Sequence, residues 1–316
     1  MLAACVLVIF LLAMTVTIAN VSLPQIQGAM SATRDQVAWV VTSYLVANAV
    51  GLPATSWLGD RFGSRRVIVW GTAGFSLATL ACATAPNLEV LVLMRAAQGL
   101  TGAPVMPLAM SLVMASYPRS QHGTVISIFG IGVTIGPVVA PWLGGILAEE
   151  YGWRSVFYFC LPFAAMSSLA VLAVIPHDRP EGRHRLDLRG FVFFSIAIAC
   201  FQLMLDRGER NDWFHSAEII LECLAGVVCL YLFVVHSLTW RLPYIDLRIL
   251  ANRDLAIGLL LVAAFGMLSY SPIVLLPNML QNLRGYPEET IGGLLAIRGI
   301  GSTVGFVVLL WGSRHD

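Results

Sequence analysis

Residues 124–147 read TVISIFGIGVTIGPVVAPWLGGIL, twenty-four in a row without a charge. As an α-helix, at ~1.5 Å per residue, the run reaches about 36 Å, enough to cross the ~30 Å hydrocarbon core of a bilayer. A helix on the surface of a soluble domain would keep one charged face for water, and this run has none. Gly132, Gly136, Ala140 and Gly144 fall four apart, on one helical face, where small side chains let a second helix come close. Pro137 and Pro141 each remove a backbone donor from the same helix and are expected to kink it.

The same kind of run recurs on both sides. Of 316 residues, 58% are hydrophobic and 12% charged, against about 25% charged in soluble domains. Ten spans are expected: 2–22, 37–58, 67–84, 89–115, 124–147, 155–175, 190–205, 217–237, 255–276 and 291–310. The first has no basic residues before it, the first charge being Arg34, so it reads as a retained helix rather than a signal peptide. A net charge of +1 gives no electrostatic basis for a nucleic-acid partner. The six cysteines all sit in apolar runs at no metal-ligand spacing, so neither a metal nor a cofactor is expected. No nucleophile elbow or phosphate loop points to an enzyme.

All 19 basic residues are arginine. With the N-terminus in the cytoplasm, twelve of them fall in cytoplasmic segments, five outside and two within spans, so both termini are expected to be cytoplasmic. The longest polar loop, 176–189, separates the first six spans from the rest. A weak echo crosses it: Leu23-Pro24 closes the first span and Leu276-Pro277 the ninth, while Asp60 and Asp316 follow at similar distances. The expected organisation is therefore a six-helix unit over 1–175, the loop 176–189, two inserted helices over 190–237, and the start of a second unit over 238–316.

Two further stretches carry polar groups. After the second span, Ser56-Trp-Leu-Gly-Asp60-Arg61-Phe-Gly63-Ser-Arg65-Arg66 is a tight basic turn, with Gly63 able to bend sharply. In the fourth span, Arg95, Gln98, Gly102, Met106 and Ala109 follow at spacings of three and four and share one face. A charge inside a span costs roughly 2.5–3.5 kcal/mol on insertion scales, so Arg95 should face protein or a wet cavity.

These motifs carry a resemblance. The 56–66 turn resembles the signature between the second and third helices of the major facilitator superfamily, with serines at two of its positions. Arg95-Ala-Ala-Gln98-Gly99 resembles the R-x-x-Q-G motif of drug:proton antiporters. Gly136-Pro137-Val-Val-Ala140-Pro141-Trp-Leu-Gly144-Gly145 resembles the exporter motif G-P-x-x-G-P-x-x-G-G, with Ala140 for one glycine. Together with 153–162, 206–214 and 276–281, they resemble the 14-helix drug:proton antiporters, the EmrB/QacA-like branch. The resemblance implies an all-α, polytopic transmembrane bundle of the major facilitator type that exports amphipathic compounds or antibiotics by proton antiport from the bacterial inner membrane. It implies as partners a small-molecule substrate, protons, a periplasmic adaptor protein and an outer-membrane channel.

The transport cavity implied by the resemblance is lined by Thr15, Thr17 and Asn20, by Arg95, Gln98, Met106 and Met110, and by Met267 and Tyr270. The gating residues implied are Asp60, Arg61 and Gly63 together with Gly132, Gly136, Pro137, Ala140, Pro141 and Gly144. The sequence departs from the family at two places. The acidic residue of the family's first helix is Thr15 here, and the second unit stops after two of its six helices. Glu222, within the eighth span, is the nearest other carboxylate by depth. The alternative reading is a truncated or split transporter without transport activity of its own.

Overall fold

A computed structural model describes residues 1–174, 187–240 and 243–284, with single helical positions between 294 and 311. Its twelve α-helices among the described residues are α1 (Leu2–Val21), α2 (Leu23–Ala29), α3 (Arg34–Gly51), α4 (Thr55–Phe62), α5 (Ser64–Ala83), α6 (Leu88–Gly102), α7 (Val105–Ser116), α8 (His122–Tyr151), α9 (Arg154–Val174), α10 (Leu188–Arg207), α11 (Ala217–Thr239) and α12 (Arg253–Arg284). Among the described residues, eight stretches are long and apolar enough to cross a membrane, and they coincide with the first eight expected spans. The ninth lies within α12. Most of the 176–189 loop and of the tenth span lies outside the described residues.

Local chemistry sets the ends. Thr33 and Gln36 form a reciprocal capping box before α3. The Asn87 side chain accepts from Val90 N before α6. Gly63, at φ +87°, lets α4 turn directly into α5. The second and fourth spans each contain a break: Pro53 sits in the 3-10 turn Leu52–Ala54 between α3 and α4, and Pro104 caps α7 after α6. In both, proline withholds the amide that a continuous helix would use. By contrast α8 runs unbroken from His122 to Tyr151 through Pro137 and Pro141. The seventh span is longer than its apolar run: α10 holds 20 residues, Asp187 capping one end and Arg207 ion-paired at the other.

Helices α1, α5, α7, α8 and α9 enclose one apolar core around Ile9, Met14, Phe75, Val113 and Val156. A second core, around Ile26, Val37, Leu91, Trp153 and Phe157, closes the other end. Within a bilayer, where lipid is as apolar as these side chains, such cores hold by close packing rather than by escape from water. The reverse faces are apolar as well: Leu77, Leu93, Trp142, Leu169 and Leu221 are each more than 60% exposed, which a bilayer tolerates and water does not. Helices α10 and α11 pack on each other and meet the first nine helices chiefly through α3.

Candidate functional site

The R-x-x-Q-G stretch builds one helix crossing. A Cβ placed on Gly99 would lie 2.2 Å from the Tyr44 carbonyl oxygen, so α6 and α3 touch backbone to backbone and only glycine fits. Asn48 Nδ2 donates to the Gly99 carbonyl at 3.3 Å across the same contact. One turn away, Arg95 is fully buried. Its Nε donates to the Val40 carbonyl at 2.9 Å and its Nη1 to Gln98 Oε1 at 2.6 Å. Gln98 Nε2 donates in turn to Thr79 Oγ1 at 2.6 Å on α5. The guanidinium stands 4.4 Å from the centre of the Tyr44 ring, a cation–π placement. No carboxylate pairs with Arg95 among the described residues, and its Nη2 makes no hydrogen bond. One backbone carbonyl, an amide oxygen and a ring face therefore compensate the buried charge in place of an opposite charge.

Thr15 is also fully buried. Its hydroxyl donates to the Leu11 carbonyl at 2.8 Å and contacts Cys160 Sγ on α9 at 3.8 Å. Thr15, Arg95 and Gln98 are each fully buried, Arg95 and Gln98 in direct contact.

The remaining expected cavity residues spread out. Thr17 is half-buried and bonds back to the Ala13 and Met14 carbonyls, while Asn20 is exposed. Met106 is exposed, Met110 packs against the first core, and Met267 is exposed on α12. The Tyr270 side chain lies outside what is described.

The seam on α8 lies against α1. A Cβ on Gly136 would come 2.9 Å from Met14 N and 3.0 Å from the Phe10 carbonyl. Cβ atoms on Gly132 and Gly144 would meet side-chain carbons, Cγ1 of Val6 and Cγ1 of Ile18, each at 2.7 Å. Ala140 is fully buried in the same row, and Pro137 is half-buried. At the 56–66 turn, Asp60 and Arg61 are exposed, and Arg65 Nη2 donates to the Leu172 carbonyl at 2.8 Å, tying the turn to the end of α9.

One polar pair escaped the sequence reading, and Glu222, which did not, has a partner the sequence left unnamed. Asp187 and His236, 49 positions apart, form a close pair, and only the N-cap position of Asp187 before an apolar run signalled a role. Glu222 is mostly buried, with Arg207 3.6 Å away. No cluster that could hold a metal occurs among the described residues.

The family model of the Major Facilitator Superfamily matches residues 5–315. The multidrug export protein EmrB of Escherichia coli K12 is 35% identical over 285 residues, 90% of this chain and 56% of the relative. The fatty acid resistance protein FarB of Neisseria gonorrhoeae is 35% identical over 295 residues, 93% of this chain and 58% of the relative. The chain therefore spans somewhat more than half the length of these relatives. Among solved structures, the proton:xylose symporter XylE superposes with a TM-score of 0.63 at 14% identity, covering 97% of this chain and 67% of that one; this likeness speaks to the fold. With eight stretches among the described residues long and apolar enough to cross a membrane and a family match over nearly its whole length, this multi-pass membrane protein belongs to the major facilitator superfamily.

Proposed function

We propose that the protein exports amphipathic organic compounds or antibiotics from the bacterial cytoplasm across the inner membrane, driven by proton antiport. The observation that carries this reading is the α1–α8 seam. The small-residue row that resembles the exporter motif lies against α1 at backbone distance, Gly136 touching Met14 and Phe10. Two relatives named for multidrug export and fatty acid resistance support the substrate class. The arginine bias supports both termini facing the cytoplasm. Residues 1–175 then act as one transporter half, α10 and α11 as an inserted pair, and α12 as the opening helix of the second half. The mutual packing of α10 and α11, joined to the rest chiefly through α3, supports that division. A periplasmic adaptor and an outer-membrane channel are the partners this reading expects.

The test uses inside-out vesicles carrying the protein. Acidifying the vesicle interior should drive uptake of ethidium or of a fluorescent fatty acid, and collapsing the gradient should stop it. Vesicles of verified orientation that take up neither probe under a pH gradient would refute the proposal.

A further inference from the structure

Of the 18 acidic residues in the chain, Glu222 is the one that stands more than a turn inside an expected span. It lies in the second turn of α11, about 7–8 Å along the axis from that helix's first residue. Carboxylates at such depth are costly in hydrocarbon, and where they occur they mark proton and ion paths. The Glu222 side chain is 14% exposed. Its Oε2 is buried and makes no hydrogen bond among the described residues. Its Oε1 lies 3.6 Å from Arg207 Nη1, beyond hydrogen-bond length. The carboxylate at the opposite end of the α10–α11 pair is the contrast. In the Asp187 joint, His236 Nε2 donates at 2.8 and 2.9 Å and the Gly190 and Tyr244 amides each at 3.1 Å, so both oxygens are satisfied as an anion.

Arg207 is already committed elsewhere. Its Nη1 and Nη2 donate to the two oxygens of Glu218 at 2.5 and 3.2 Å, and Asn211 Nδ2 donates to the same glutamate at 3.2 Å. One guanidinium therefore faces two carboxylates, one turn apart on α11. The other charged groups of that end supply no second cation. Asp206 accepts the Thr42 hydroxyl on α3, and Asp35, Glu209, Arg210 and Asp212 are exposed. On α10, Cys200 packs against Gly226, one turn further along α11 from Glu222. With both glutamates ionised the cluster is net negative, and one proton balances it. Glu218 is half exposed and hydrogen-bonded at both oxygens; Glu222 is neither, so the proton falls to Glu222. Arg207 and Asn211 also line a hollow against α3, bordered by the exposed Asp35 and Arg210. Water there reaches the guanidinium that Glu222 faces.

We propose that Glu222 binds the proton exchanged for substrate and receives it from the outer side through this hollow. The assignment deepens the antiport reading above and rests on it and on its topology. Position 15, where the resembled family keeps an acid, is a threonine, so the proton site sits on the inserted pair instead. The proton comes from water in the hollow and returns to water, and the Glu222 carboxyl is the group whose charge changes. Arg207 is a positioning residue: it is shared by both glutamates while Glu222 is ionised and is left to Glu218 once Glu222 is neutral.

Two measurements on the whole chain in lipid read proton binding without reading export. Dicyclohexylcarbodiimide attacks protonated carboxyl groups in apolar surroundings. At about pH 7, where water-exposed carboxylates are ionised, mass spectrometry of the unaltered chain should find the adduct on Glu222, and at about pH 9 it should be lost. Infrared difference spectra between the same two conditions should show the stretch of a protonated carboxyl, absent from Glu222→Gln. Arg207→Gln, which removes the cation, should keep that stretch under both conditions. In inside-out vesicles, Glu222→Gln, isosteric with the protonated acid, should take up ethidium no faster with an acid interior than with the gradient collapsed. An unlabelled Glu222 at about pH 7, which needs no variant to fold, would overturn the proposal. So would gradient-driven uptake in Glu222→Gln equal to the parent's. If Glu222 is labelled and the parent moves no probe, the export reading falls and the proton site is kept.

Discussion

Replacing Gly136 by alanine tests whether α8 and α1 meet backbone to backbone. The new methyl group would sit 2.9 Å from Met14 N, 3.0 Å from the Phe10 carbonyl and 3.3 Å from Ala13 Cβ. Two of these three atoms belong to the backbone of α1, so no rotamer change relieves them. The helices must separate by roughly 0.5–1 Å, which forfeits about a quarter to a half of the dispersion energy along the seam. Overpacking of this kind costs about 1–3 kcal/mol. Alanine returns roughly 0.5–1 kcal/mol of helix propensity, leaving a net loss of about 1–2 kcal/mol. At roughly 2–4 °C per kcal/mol, thermal unfolding in detergent should fall by about 2–8 °C. Gly144→Ala, whose nearest atom is the Ile18 Cγ1, should cost less because a side chain can move. Gly258→Ala, in open space on α12, serves as the control and should leave the midpoint unchanged or raise it. Equal midpoints for Gly136→Ala and Gly258→Ala would refute the close seam.

Gly99→Ala should be more damaging, at or above about 3 kcal/mol, because its methyl group would overlap the Tyr44 carbonyl at 2.2 Å; size-exclusion recovery after heating measures this, and normal recovery would contradict the crossing. The Asp187 joint should resist acid. Its folded-state pKa is depressed below the ordinary 3.8 by the Gly190, His236 and Tyr244 bonds, which outweigh burial. Its contribution is therefore complete above that value and lost only as pH falls through the lower folded one. Exchange at the Tyr244 amide, corrected for intrinsic rate, should stay slow down to about pH 4, and opening between pH 5 and 6 would contradict this.

Hydropathy and spacing revealed what depends on local sequence. Eight spans emerged from runs that no soluble helix would tolerate, and the Gly132-to-Gly144 row announced a close contact because a four-residue period marks one face of a helix. Breaks at Pro53 and Pro104 were harder to see, since the apolar runs continue across them and hydropathy does not register a missing amide. Spacing put Gln98 on the face of Arg95, where it accepts from Nη1, but nothing local told the other partners. Its partner Val40 is 55 positions away, and its meeting with Tyr44 follows from the close approach that Gly99 permits. The Asp187–His236 pair was hidden for the same reason, since it exists only once α10 and α11 have folded against each other. Glu222 read as the nearest other carboxylate by depth; Arg207, on the neighbouring helix, gives it a partner that sequence distance concealed.

Position 15 is where the chain departs from its family and where the interior charge can be tested directly. Arg95 carries its charge among neutral groups: the Val40 carbonyl, the Gln98 amide oxygen and the Tyr44 ring. Thr15 and Arg95 are both fully buried, so Thr15→Asp would place a carboxylate in the interior that holds the guanidinium. Burial raises the pKa of such a carboxyl, and a guanidinium nearby lowers it. With the two effects opposed, the group would load and release protons as the site opens to each side in turn. If proton coupling is limited by the missing acid, export in Thr15→Asp should depend more steeply on the pH gradient than in the parent, measured as initial ethidium uptake into inside-out vesicles across imposed gradients. An unchanged slope would mean that neutral groups suffice around Arg95 and that the proton is carried elsewhere. Loss of export with membrane insertion intact would mean that Arg95 must stay unpaired by a carboxylate, which is the condition for attracting an anionic substrate.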